Sequence, residues 1–204
     1  MTNTDQTAAD LDTTAPSQSA GRSVHMPGDG AMWVMVLGDF IIFGSYFIIF
    51  MVHRAMKPAE FLGAQQHLNV NIGVLNTLVL LISSWFIALS VQAARADDHA
   101  RALRLTYLGG LCGVAFILIK AYEWSVKIAQ GYTMPSNEFF IFYYMLTGVH
   151  LFHVALGLLI LGVVVRELRN PRRRRMSMVE SGATYWHMVD LLWIVIFALL
   201  YVMR

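Results

Sequence analysis

The sequence predicts an all-α protein, a bundle of five transmembrane helices. Of its 204 residues, 57% are hydrophobic and only 14% are charged, and the mean hydropathy is +0.55. A soluble domain carries about a quarter charged residues, and a chain this short has too little interior to hide so much apolar surface. The composition therefore excludes an ordinary soluble enzyme and a disordered chain, and lipid is the expected solvent.

The chain begins with a polar tail, predicted over residues 1–31, which has few large apolar residues and is expected to be disordered. It does not resemble a signal peptide, because no basic segment leads into a short apolar stretch with a cleavage site. The five-helix domain is predicted over 32–204. Each of its apolar runs has 21 to 27 residues, enough to cross a bilayer as a helix. The predicted spans are 32–52, 71–94, 105–126, 139–165 and 183–203.

Helices are the expected form of these spans, because irregular backbone cannot face lipid and a transmembrane barrel would show shorter, alternating segments. The third span contains Gly109 and Gly113, a spacing that allows close approach of a neighbouring helix. It also contains Cys112, the only cysteine, which we interpret as a packing residue. A single cysteine excludes a disulfide framework and a cysteine-based zinc site.

Basic residues predict the orientation of the bundle. Ten lie on the side of the N-terminal tail and four on the other side. The ten are Arg22, Arg95, Arg101, Arg104, Arg166, Arg169 and Arg172 to Arg175, and the four are Arg54, Lys57, Lys127 and Arg204. The positive-inside rule then predicts a cytoplasmic N-terminus and a periplasmic C-terminus. The run of four arginines is interpreted as a topology anchor near anionic lipid headgroups, and no nucleic-acid partner is expected.

Seven ionisable side chains lie within the predicted spans, where each is costly unless it faces protein or water. They are Asp39, Lys120, Glu123, His150, His153, His187 and Asp190. Asp39 lies about 10 Å from the start of the first span, and no charged residue follows or precedes it by three or four positions. It must be protonated, hydrated or paired with another helix, which makes it the strongest functional signal. Asp190 is predicted at a similar depth in the fifth span.

Spacing along single helices predicts local pairs. Lys120 and Glu123 are three residues apart, so we expect an ion pair near the membrane surface with the lysine extending outward. His187 and Asp190 have the same spacing, which predicts a hydrogen-bonded pair. His150 and His153 share a face of the fourth span, but a metal would need further ligands at the same depth.

Two motifs resemble a known family. The fourth span reads T-G-V-H-L-F-H over 147–153, and the fifth reads Y-W-H-M-V-D-L-L-W over 185–193. Together with Asp39 and with Glu123-Trp124 at the end of the third span, these motifs resemble subunit III of the haem–copper oxidases, cytochrome c oxidase and ubiquinol oxidase. The resemblance covers residues 32–204 and corresponds to the five-helix form of the subunit.

Two positions depart from that family. The family usually carries Glu where this chain has Asp39, and commonly has Gly where this chain has Leu151. Asp39 and the stretch E-S-G-A-T-Y-W-H over 180–187 are most similar to NorE-like proteins, the subunit-III-like proteins found with nitric oxide reductases.

The resemblance implies a multi-pass subunit of the bacterial inner membrane, packed on a subunit I-type catalytic chain. That partner holds the haem and, in oxidases, copper, whereas this chain is expected to hold no catalytic residue, metal or redox cofactor. The family's subunit is thought to support proton uptake and active-site integrity, and to bind phospholipid between its helices. The candidate residues for these roles are Asp39, Glu123, His150, His153, Glu180, His187 and Asp190.

The residues alone leave two other classes of function open. The first is a haem- or metal-binding membrane enzyme that uses His150, His153 and His187, which requires histidines at matching depth on facing helices. The second is a small proton-coupled carrier that uses Asp39 and Asp190, although the sequence shows no internal repeat or broken helix of the kind common in carriers.

Overall fold

A computed structural model describes residues 30–170 and 175–203. The helices are α1 (Gly30–Met56), α2 (Pro58–Gln65), α3 (Val70–Arg95), α4 (His99–Ala129), α5 (Glu138–Arg169) and α6 (Met176–Phe197). A 3₁₀ turn, Met134–Ser136, precedes α5, and α6 continues as a π-helical turn, Ala198–Val202. Over these described ranges, five helices are long and apolar enough to cross a membrane: α1, α3, α4, α5 and α6 with its π turn. The predicted fold class is confirmed.

Most helices extend well beyond the predicted apolar runs. α4 begins six residues before position 105, where the Asp98 side chain accepts a hydrogen bond from the Arg101 amide and caps the helix. A run of high hydropathy marks only the membrane-embedded length of a helix, so these polar helix ends were not predicted. The short helix α2, which starts at Pro58, was also not predicted. Of the predicted tail 1–31, residues 1–29 lie outside the described residues, as do residues 171–174 of the arginine-rich loop.

The central element of the bundle is α6, which packs against α3, α5 and α1. In its apolar stretch 61% of the residues are buried, against 17–28% in the other four spanning helices. Trp186 of α6 is fully buried, and glycines let α4 and α5 approach it. A Cβ atom at Gly113 would lie 2.6 Å from the indole ring, and one at Gly157 would lie 2.9 Å from it. The predicted close approach at the third span therefore exists: Gly113 faces Trp186, and a Cβ atom at Gly109 would lie 2.6 Å from Ile87 of α3.

Polar side chains join α3 to α4. The Ser83 hydroxyl donates to the carbonyl of Gly109 at 2.8 Å, and Ser90 donates to the carbonyl of Ala102 at 3.0 Å. Ser83 also accepts a hydrogen bond from the indole N–H of Trp186 at 3.1 Å. Each buried hydroxyl thus has a partner, which ties this hairpin to the central helix.

We call the end of the bundle that holds Lys57 and Lys127 the lysine end, and the opposite one, which holds Arg95, the arginine end. At the lysine end, Gln65 of α2 donates to the carbonyls of Leu199 and Leu200 at 3.2 and 2.9 Å. These carbonyls belong to the π turn, so α2 supports its backbone. At the same end, Lys57 donates to Glu138 at 2.5 Å, and this hydrogen bond raises the pKa of the Lys57 ammonium group.

Candidate functional site

Asp39 of α1 and His153 of α5 form a pair inside the membrane-spanning region. The Asp39 Oδ1 atom lies 3.3 Å from His153 Nε2, and each side chain is 13% exposed. Phe43, one turn along α1, packs edge-on against the imidazole with ring centroids 5.2 Å apart. Asp39 is therefore paired with a residue of another helix. This pairing is one of the three states, protonated, hydrated or paired, that the sequence left open.

The second nitrogen of His153 determines what this pair can do. His153 Nδ1 lies 2.7 Å from the carbonyl oxygen of Val149, and a carbonyl can only accept, so Nδ1 carries a proton. A hydrogen bond between Nε2 and the Asp39 carboxyl then requires one further proton, either on the carboxyl or on the imidazole. The pair therefore shares one proton beyond that on Nδ1, at a site that is largely but not completely buried.

Lys120 and Glu123 of α4 lie in a closed cage, which we call the lysine cage, together with Tyr143 and Tyr201. Lys120 Nζ donates to Glu123 Oε2 at 2.9 Å, to Tyr201 Oη at 2.7 Å and to Tyr143 Oη at 3.3 Å. The Tyr201 hydroxyl donates to the second Glu123 oxygen at 2.7 Å. The ammonium also lies 4.8–5.2 Å from the ring centroids of both tyrosines and of Trp193.

The predicted ion pair between Lys120 and Glu123 exists, but its predicted direction is wrong. Their side chains are 0% and 1% exposed, so the lysine does not extend outward to the membrane surface. Three oxygen acceptors and three aromatic rings hold its ammonium inside the bundle, which is the physical reason for the difference. The cage joins α4, α5 and the π turn that follows α6.

The predicted hydrogen-bonded pair of His187 and Asp190 is also wrong. His187 is half-buried and its Nδ1 lies 2.6 Å from Ser84 Oγ, on α3. Asp190 is 4% exposed, and neither of its oxygens has a hydrogen-bond partner among the described residues. Residues three apart on a helix differ by about 60° in direction, and the His187 imidazole contacts the Ser84 hydroxyl of α3 instead of the Asp190 carboxyl.

His150 is completely buried between aromatic rings. Its ring centroid lies 5.6 Å from that of Phe116 and 5.2 Å from that of Trp193. In the part of the chain that the structure describes, no group of three or more His, Cys, Asp or Glu side chains could hold a metal. Both nitrogens of His153 already lie against other groups, Val149 and Asp39.

Glu180, the remaining candidate, lies at the arginine end. Its Oε1 accepts hydrogen bonds from Nε and Nη2 of Arg95 at 3.1 and 2.8 Å. This pair bridges α3 and α6 away from the interior groups.

Three residues of these sites were not found from the sequence: Ser84, Tyr143 and Tyr201. Tyr143 lies seven residues before His150 and so on the same face of α5, a periodicity that could have indicated it. Ser84 and Tyr201 are brought to their partners only by packing between helices.

Five spanning helices, with acid–base pairs held inside the bundle, define a multi-pass membrane protein. The chain belongs to the cytochrome c oxidase subunit III family, whose model it matches over residues 20–204. The family consists of non-catalytic membrane subunits of haem–copper oxidases, and this match confirms the resemblance seen in the two motifs.

The similar proteins include whole subunits and a fused one. The chain is 32% identical over 176 residues to cytochrome c oxidase subunit 3 of Thermostichus vulcanus, covering 83% of this chain and 84% of that protein. The chain is 30% identical over 203 residues to cytochrome c oxidase subunit 3 of Synechocystis sp., covering 96% of this chain and 85% of that protein. A heme-copper oxidase subunit I+III of Aeropyrum pernix is 29% identical over 185 residues, which are 84% of this chain and 22% of that longer protein.

Proposed function

We propose that this protein packs in a bacterial inner membrane against a subunit I-type catalytic chain and supports proton uptake and the integrity of its active site. The haem, and copper in an oxidase, belong to that partner. The fused relative supports the partnership, because subunits I and III are one polypeptide there. The interior of this chain supports a role in proton handling.

The observation that carries the proton role is the pair of Asp39 and His153. Its donor and acceptor pattern requires one proton beyond that on His153 Nδ1. Each side chain keeps 13% of its area exposed, where a proton donor or acceptor of the partner subunit can reach the pair. Structural charges, such as those of the lysine cage, are by contrast sealed from the surface.

Phospholipid is the proposed ligand of this chain. Helix α1 contacts the bundle along one face, and only 17% of its apolar stretch is buried. Ile41, Ile48 and Val52 are more than half exposed on its outer surface. We propose that lipid chains and the catalytic subunit together cover this helix.

The partner complex is proposed to be an oxidase or a nitric oxide reductase. The similar proteins named above favour an oxidase, since each is named as an oxidase subunit. Asp39, where the family usually has Glu, and the stretch E-S-G-A-T-Y-W-H over 180–187 are the features that favour the NorE-like branch. Turnover of the purified complex with oxygen and with nitric oxide distinguishes the two.

Asp39→Asn tests the proton role. The asparagine amide can donate to His153 Nε2, so the contact and the fold are retained while the exchangeable proton is lost. We expect normal assembly with the catalytic subunit, together with slower turnover or faster inactivation during turnover, measured between about pH 6 and 9.

Two further variants separate the proton role from a packing role. Asp97→Asn is the matched control, because Asp97 is 96% exposed and its positive φ of 59° suits asparagine equally well. It should leave turnover and lifetime unchanged. If Asp39→Asn is as silent as this control while Asp39→Leu prevents assembly, Asp39 is a packing residue and the proton role is wrong.

A further inference from the structure

Three fully or almost fully buried side chains have no hydrogen bond to any residue that the structure describes. Asn76 of α3 and His150 of α5 are 0% exposed, and Asp190 of α6 is 4% exposed. Both side-chain polar atoms of each residue lack a partner, six atoms in all. Buried polar groups are almost always hydrogen-bonded, to protein or to ordered water, so this concentration of unpaired atoms requires an explanation.

Trp193 shows that the three residues lie at a similar depth in the bundle. Its indole N–H donates to Thr77 Oγ1 at 3.0 Å, and Thr77 directly follows Asn76 in α3. Its ring centroid lies 5.2 Å from that of His150. Asp190 precedes it by three residues, about 4.5 Å along the helix axis. The three residues thus come from three helices and lie at the depth of Trp193, which we call the Trp193 layer.

The protein groups near the layer are shared with other partners. Ser84 lies near the Asp190 carboxyl, and its hydroxyl is also 2.6 Å from His187 Nδ1, so its single proton can serve only one of the two. The three protons of Lys120 have oxygen acceptors within the lysine cage. No described residue makes a hydrogen bond to the side-chain polar atoms of Asn76 or His150.

The chemistry of the unpaired atoms identifies the ligand class. Asn76 offers donors and an acceptor, neutral His150 offers one of each, and the Asp190 carboxyl mainly accepts. Only a molecule that both donates and accepts satisfies such a mixture, and water does so with two to four partners. A metal cation is disfavoured, because the Lys120 ammonium lies 5.2 Å from the Trp193 ring.

We propose that Asn76, His150 and Asp190 line an internal hydration site, which holds ordered water in the middle of the bundle. The site lies between the two charged clusters. His150 is one helical turn from His153, and Trp193 separates it from Lys120. The proposal is independent of the partner complex, because it concerns only groups within this chain.

The first test needs no variant. An experimental structure of the full chain, alone or in its complex, should be determined at a resolution that shows ordered water. We expect water density about 2.7–3.2 Å from a His150 nitrogen and from the Asn76 amide. The proposal is overturned if these side chains are well ordered, water is visible elsewhere inside the protein, and none lies beside them.

The second test uses the sign of stability changes. Asn76→Leu and His150→Phe replace each polar group by an apolar one of similar shape. If water forms hydrogen bonds with these groups, each variant removes one partner of that water and leaves the others incompletely hydrogen-bonded. The midpoint of unfolding in detergent should then fall. If the groups are dry and unpaired, removing them should raise the midpoint or leave it unchanged, and the proposal is wrong.

A double-variant cycle provides the control. With shared water, Asn76→Leu should lower the midpoint less in the His150→Phe background than in the wild-type chain. Ser90→Ala is the matched control, since Ser90 is buried, bonds Ala102 and Thr106 directly, and lies toward the arginine end. Its effect should be the same in both backgrounds. Additive effects for Asn76 and His150 would contradict a shared site.

Discussion

Replacing Lys120 by methionine should lower the free energy of unfolding by about 3–5 kcal/mol, the usual cost of removing one partner from a buried ion pair. Methionine matches the four-atom apolar stem of lysine but lacks the ammonium group. Glu123 is 1% exposed, and it would keep only the hydrogen bond from Tyr201. The cost of a buried pair is the appropriate one, because the Lys120 and Glu123 side chains are 0% and 1% exposed and solvent does not screen their charges.

The measurement is unfolding of the purified chain in mixed micelles as the fraction of denaturing detergent increases. Tryptophan fluorescence reports the transition, because Trp193 lies 5.2 Å from the Lys120 ammonium. Lys57→Met is the matched control. It breaks another lysine–glutamate pair, Lys57 with Glu138, whose side chains are 46% and 36% exposed, so little change is expected.

The double variant Lys120→Met, Glu123→Leu separates the lost charge from lost volume. Replacing both members of a buried pair by apolar groups is often neutral, so the double variant should be more stable than Lys120→Met alone. A Lys120→Met chain that unfolds like the Lys57→Met control would refute the proposed energetic role of the cage. A double variant at least as unstable as the single one would show that packing, and not charge, determines the loss.

Two further predictions concern packing and orientation. Gly113→Ala places a Cβ atom 2.6 Å from the fully buried Trp186 ring, so the free energy of unfolding should fall by about 1–3 kcal/mol. In the control Gly162→Ala, the added Cβ atom meets nothing within 4 Å, so this variant should be neutral or slightly stabilising. Equal effects of the two variants on unfolding would contradict the packing around Trp186. For orientation, a C-terminal reporter that is active only in the cytoplasm should be silent, because the basic residues predict a periplasmic C-terminus; activity there would overturn the orientation or the number of spans.

The spanning helices and the family could be predicted from the sequence, because both depend on local patterns. Runs of about 20 apolar residues are sufficient to predict helices in lipid. The family was inferred because the motifs at 147–153 and 185–193 resemble those of subunit III. The helix ends were less predictable, since caps such as Asp98 lie in polar sequence that hydropathy does not mark.

Pairs between helices could not be predicted from the sequence, because they depend on how each helix is rotated in the bundle. The Lys120–Glu123 pair was predicted, since both residues lie on one helix, but its burial depends on Tyr201 from another element. His187 and Asp190 have the same spacing and do not pair, because Ser84 of α3 takes the histidine. The partner of Asp39 likewise depends on the packing of α1 against α5.

The association of this chain with a haem-bearing catalytic subunit can be tested most directly by purification in mild detergent. The full chain would carry an affinity tag and be produced together with the subunit I-type chain of its own organism. The proposal predicts that the two chains elute together in a fixed ratio, with the haem absorbance of the partner, and that the tagged chain produced alone shows no Soret band. Consistent recovery of the tagged chain free of that subunit, or a stoichiometric Soret band from the chain alone, would contradict it.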